Sequence, residues 1–228
     1  MKIITKTAMA AALAVAGTGI AAAPAAAQAN GIATVDLPLA VVQSQALQNG
    51  YNQIATQYQA QRTTIEQRSA QRQQLAQSFD TNGDGQIDQA EAASAQDPNN
   101  ATVRQIQAID QELAQLQQPI NLARAYVVQQ VAQQYSAALQ QVISDRNIQF
   151  VLNPEVVIYG APAADVTDQV VAQLNSRVPA AQIVPPAGWQ PSEAAVGLFQ
   201  QVQQILLIAQ YQQGQAAQQP QQPAQSGR

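Results

Sequence analysis

The sequence predicts an α+β protein: a small β-body with a long antiparallel α-helical hairpin arm, then a C-terminal amphipathic helix and a disordered tail. Three observations carry that expectation. Only 11% of the 228 residues are charged and 4% aromatic, and the 46% that are hydrophobic include many alanines. Globular domains average about 25% charged residues, so the profile suits long helices with a thin apolar seam and neutral polar faces. Two runs of roughly 40 residues place apolar side chains at helical spacing, on either side of one acidic, glycine-containing stretch. Short alternating apolar runs stand before the first and after the second.

The chain opens with MKIITKTAMAAALAVAGTGIAAAPAAAQAN, in which Lys2 and Lys6 precede an apolar stretch and then small residues. This predicts a secretory signal peptide over residues 1–27, with cleavage after Ala27 or Ala29. Thr18 and Pro24 break the apolar run, which argues against a membrane anchor. No later stretch reads as a transmembrane segment. Removing the signal removes both lysines and leaves eight arginines against 14 acids, a net charge of −6. No charge-driven grip on nucleic acid or anionic lipid is expected. The absence of cysteine and histidine removes thiol and imidazole chemistry, and no nucleophile–base pair is visible, so no enzyme is expected.

GIATVDLPLAVVQS alternates at Ile32, Thr34 and Asp36, predicting a short strand ended by Pro38, which can also open a helix. From Leu39 to Phe79 there is no proline. Val42, Leu47, Tyr51, Ile54, Tyr58, Ile65, Leu75 and Phe79 make a loose apolar stripe, so one helix of about 40 residues is expected, with Gly50 bending or interrupting it. DTNGDGQIDQAE follows, with an exit helix from Gln89 to about Gln96 and a break at Pro98. A second long helix is expected from about Thr102 to Asp145, its seam marked by Ile106, Ile109, Leu113, Leu116, Ile120, Val127, Val131, Tyr135, Leu139 and Val142, with a kink at Pro119. NIQFVLNPEVVIYG predicts a β-hairpin turning at Asn153-Pro154. ADVTDQVVAQLNSRV predicts a short helix capped by Asp165 or Thr167.

The chain thus divides into the signal, a unit over 30–178, and a tail over 179–228. Within the unit the body is 30–40 and 146–178 and the arm 41–145, with the acidic loop at 80–91. The Pro- and Gln-rich tail holds an amphipathic helix over 192–211 with Val196, Phe199, Val202, Ile205, Leu206 and Ala209 on one face, then a low-complexity end expected to be disordered. Three short strands make a sheet too small to stand alone and leave open edges. Association through the body is therefore expected.

The signal, GIATVDLPLAVVQSQALQNGY, the Gln-rich helices and above all SDRNIQFVLNPEVVIYGAPAADVTDQVVAQLN resemble the Skp/OmpH family of periplasmic chaperones for outer-membrane proteins. The resemblance covers residues 30–178 apart from the tip. It implies a homotrimer with a trimerising β-body, whose arms enclose unfolded outer-membrane proteins. It also implies a periplasmic, ATP-independent holdase that competes with aggregation by mass action. The chain has no Gly-rich phosphate-binding loop. It departs from basic family members in being acidic, with a pI near 4.6, so lipopolysaccharide binding does not carry over.

The second departure is the tip, which reads as an EF-hand-like calcium loop. Asp80, Asn82 and Asp84 offer side-chain oxygens at loop positions 1, 3 and 5. Gly85 permits the sharp turn at position 6, and Gln86 offers its carbonyl. Asp88 acts through a water, and Glu91 closes the set with both oxygens. Ile87 is the expected apolar residue facing inward, and Phe79, just before the loop, the expected aromatic on the entering helix. Four of the 14 acids fall within these 12 residues. Calcium is the expected cofactor, since magnesium prefers fewer protein ligands, and a lone exported loop implies a Kd on the order of 10⁻⁴–10⁻³ M. Asp36, Asp145, Asp165 and Asp168 read as caps and strand ends rather than catalytic acids. The alternative is a calcium-binding structural, envelope-associated coiled-coil protein without client activity.

Overall fold

The computed structural model describes residues 31–218. The signal peptide and residues 219–228 lie outside them. The elements run in the order β1 (Ile32–Thr34), α1 (Leu37–Gln43), α2 (Gln45–Gln57), α3 (Gln59–Gln77), α4 (Gln89–Gln96), α5 (Ala101–Arg146), β2 (Phe150–Leu152), α6 (Thr167–Arg177) and α7 (Glu193–Gln218). Two single 3-10 turns, Pro154–Val156 and Pro162–Ala164, connect β2 to α6.

The first long run is three helices, not one. Asp36 caps α1, its carboxylate accepting from the Leu39 N–H at 2.8 Å, with Pro38 in the first turn. Ser44 then takes an extended conformation. Its hydroxyl donates to the Val41 carbonyl at 2.7 Å and accepts from the Leu47 N–H at 3.3 Å, ending one helix and starting the next. A local hydroxyl that satisfies both termini competes with a continuous helix. A single turn residue, Tyr58, separates α2 from α3, and its N–H still bonds to the Ile54 carbonyl. Gly50 lies inside α2 and does not interrupt it.

α5 continues through Pro119 for 46 residues, roughly 70 Å at 1.5 Å per residue. It ends at Asn147, whose left-handed conformation (φ 52°) caps the last turn. α3 runs antiparallel to it, since Arg68 pairs with Glu112 while Arg72 pairs with Asp110. α3 has no buried residue, so this stretch is held by half-buried Ile65 and surface ion pairs. The main core lies where α1, α2, α5 and α6 meet, around Val41, Leu47, Ile54, Val127, Val131, Val170 and Leu174.

The sheet has two strands, not three. β1 and β2 pair in parallel, with Ile32 opposite Phe150, Ala33 opposite Val151 and Thr34 opposite Leu152. The expected hairpin is absent. Asn153 accepts from the Glu155 N–H and Pro154 opens a 3-10 turn, so Asn-Pro starts a helical turn instead of reversing a strand. The Val156–Tyr159 run is left without a strand partner.

α7 is longer than expected and continues to Gln218, into the low-complexity end that reads as disordered. Its buried residues are Ala195, Leu198 and Val202. Phe199 and Leu206 pack half-buried on the core, while Val196 faces solvent. The helix is thus rotated relative to the seam that periodicity suggests.

Candidate functional site

Two features stand apart from the core: the acidic loop between α3 and α4, and the outer face of the small sheet.

In the loop, Asp80 organises the turn. One of its carboxylate oxygens accepts from the Gly83 N–H at 2.7 Å and the Asp84 N–H at 3.2 Å, and the other accepts from the Gly85 N–H at 2.8 Å. Gly83 and Gly85 have φ of 73° and 79°, a region that residues with a Cβ rarely adopt. Asn82 accepts from the Asp84 N–H and Asp84 from the Gln86 N–H, both at 2.8 Å. Asp88 caps α4 by accepting from the Ala90 and Glu91 N–H groups.

Glu91 is the one buried acid, 5% exposed. One oxygen accepts from the Thr81 N–H (2.7 Å), the Thr81 hydroxyl (2.8 Å) and the Asn82 N–H (3.3 Å). The other accepts from the Asp88 N–H at 3.1 Å, completing a capping box. The Asp88 N–H, then the Thr81 hydroxyl and backbone, hold the Glu91 carboxyl below its ordinary range against the opposing effect of desolvation. Thr81 has no place in the expected ligand set, yet both its donors fix Glu91.

The oxygen donors suit calcium in kind, and the turn has the required glycine conformations. Among the described residues, however, no three acidic side chains come together as a metal-binding group. Asp80, Asn82 and Asp84 share the turn, Asp88 is engaged at the α4 terminus, and Glu91 is bound to its own loop. Ile87 is 51% exposed instead of facing inward, because nothing packs over it. Phe79 is buried, outside the main core cluster.

The sheet's outer face was not legible as a site in the sequence. Register places Ile32, Phe150, Thr34 and Leu152 on one side and Ala33 and Val151 on the other. Ala33 and Val151 point to the core, whereas Ile32, Phe150 and Leu152 are exposed, as are Val156, Ile158 and Tyr159 beyond them. Parallel sheets are normally covered on both faces. The acids weighed as catalytic are structural where hydrogen bonds define them: Asp36 caps α1, Asp165 accepts from the Thr167 N–H, and Asp145 accepts from Gln141. No described helix is long and apolar enough to cross a membrane.

The family model for outer membrane protein (OmpH-like) matches residues 31–174. Among solved structures, an OmpH-like candidate outer membrane chaperone from Caulobacter crescentus CB15 is 20% identical. That match covers 70% of this chain and 93% of the other, at a TM-score of 0.41. No curated protein sequence matches. With its strands, helices α1 to α5 and most of α6 inside the matched span, the chain belongs to the OmpH-like outer membrane protein family.

Proposed function

We propose that the protein is a periplasmic, ATP-independent holdase that binds unfolded outer-membrane proteins between hairpin arms and works as a homotrimer. Family membership over residues 31–174 carries this reading. The bare apolar face of the two-stranded sheet supports association through the body, since one copy leaves Phe150, Val156, Ile158 and Tyr159 uncovered. Light scattering of an unfolded outer-membrane barrel tests the activity: a stoichiometric amount of the trimer suppresses aggregation, and no suppression overturns the reading.

We further propose that the loop takes calcium through Asp80, Asn82 and Asp84 side chains, the Gln86 carbonyl, Asp88 by way of water, and Glu91. The glycine conformations and the acceptor role of Asp80 support it. Bound there, the ion would tie the end of α3 to the start of α4. Calorimetry checks this, with calcium binding expected in the parent and lost in Asp80→Ala and Glu91→Gln. Equal binding in both variants rejects the assignment.

A further inference from the structure

We infer that the C-terminal segment Ala181–Gln218 is a displaceable cover, seated on a surface that unfolded polypeptide occupies when the segment lifts. This rests on the holdase reading and extends it.

The segment lies beyond the family match, which ends at residue 174. It is nevertheless folded back onto the matched unit. Gln130 donates to the Gln182 carbonyl at 2.8 Å and accepts from the Gln182 N–H at 3.0 Å. Gln129 accepts from the Ser192 N–H at 3.3 Å, and Gln203 of α7 donates to the Tyr51 hydroxyl at 3.2 Å. Trp189 meets Tyr126 edge-on, with ring centroids 4.9 Å apart. Leu198 and Val202 reach the core.

The attachment is neutral and holds only part of the helix. Glu193 is the only charged residue between 179 and 218, and neither ion pair of the described residues involves it. Open space flanks α7 on both sides. A solvent-open groove of about 630 Å³ lies between Gln204 and Ile205 on one side and Leu37, Tyr135 and Leu152 on the other. Another of about 430 Å³ lies between Phe199 and the Leu122 and Ala125 region of α5. Both grooves are open to solvent, so the flanks of α7 are accessible to an incoming chain. From Leu207 onward its large apolar side chains, Leu207, Ile208 and Tyr211, are exposed. Only the first half of the helix is held.

A displacing ligand must replace apolar anchors and neutral amide hydrogen bonds, with no charge to neutralise. Unfolded polypeptide of alternating apolar and neutral polar residues supplies both. Lifting the cover would bare Tyr51 and Tyr126 to it. The cover therefore acts as a tethered competitor, which lowers the affinity for weak clients and yields to strong ones.

Trp189 is the single tryptophan of the chain and reports directly on release. The test adds an unfolded outer-membrane barrel, made free of tryptophan, to the full mature protein. Trp189 emission is expected to shift to the red in step with suppression of light scattering. Gln129→Cys with Ser192→Cys, closed by a bis-maleimide, tethers the cover. Client affinity should then fall about threefold or more relative to the same variant unlinked, as the raised effective concentration of the cover predicts. Circular dichroism verifies that the variant is folded, and the Trp189 measurement on the parent needs no substitution. Suppressed aggregation with unmoved Trp189 emission and no effect of tethering overturns the cover and leaves the holdase standing. No suppression by the untethered parent overturns both.

Discussion

Gly50 sits mid-helix, where alanine would be preferred by about 1 kcal/mol on propensity alone. Packing explains it. A Cβ there would lie 3.0 Å from one Val127 methyl and 3.1 Å from the other. Val127 is fully buried, and a β-branched side chain has little rotamer freedom to yield. Overpacking costs about 1–3 kcal/mol, so Gly50→Ala is expected to lower the denaturant midpoint in spite of its propensity gain. A raised midpoint would show that Val127 has room to move. Tyr51 is the second informative residue. Burial pushes its hydroxyl up to about 12, opposed by the Arg124 guanidinium over its ring and by the Gln203 hydrogen bond. The neutral form is thus favoured in the folded state. The associated stability is complete below the ordinary value of 10.0 and is lost as pH rises toward about 12. Fully developed, it is on the order of 2–3 kcal/mol. Melting temperature should fall over that window in the parent and fall less in Tyr51→Phe.

Among the elements, the α3–α4 connection is the most dependent on a single charge. Glu91 gathers donors from Asp88, Thr81 and Asn82, and its carboxyl is held below the ordinary 4.5. A depressed carboxylate contributes above its unfolded value and stops contributing as pH falls through its folded one. Protection of the Thr81, Asn82 and Asp88 amides against hydrogen exchange, relative to their intrinsic rates, is therefore expected to fall on acidification below about 4.5, while the α5 core stays protected. Protection unchanged in acid would mean that the backbone turn, not the carboxylate, holds the tip. The end of the acidic loop and Pro98 located α4, and apolar periodicity located α5, within a residue of their observed limits, because these signals are local. Periodicity missed the breaks at Ser44 and Tyr58 because the apolar stripe runs on through them. It also missed the rotation of α7, whose buried face was chosen by the seat and not by the helix's own stripe.

The whole molecule is a core at one end of a roughly 70 Å helix and a small loop at the other, linked by a stretch with little buried surface. Among the described residues, an uncovered apolar surface lies on the body, where Ile158 and Tyr159 are almost fully exposed. If the trimer forms through that face, Ile158→Asp should shift sedimentation from trimer toward monomer while leaving the helical signal intact. A trimer that persists in Ile158→Asp and Phe150→Asp would place the interface elsewhere. Surface ion pairs such as Arg68–Glu112 contribute no more than about 1 kcal/mol each, so they set the alignment of α3 on α5 more than its stability.

Composition and local spacing alone were enough for the helix-dominated class, short apolar strands at both ends of the long run, and the acidic tip loop with its glycines; the quoted segments carried the family resemblance. Only the tertiary structure decided that Val156–Tyr159 is not a strand, that β1 and β2 pair in parallel, that Glu91 binds its own loop, and that the tail lies on Tyr51 and Tyr126. Each of these depends on partners distant in sequence or on competition between acceptors. Hydrophobic periodicity reports which residues can be buried, not which surface buries them.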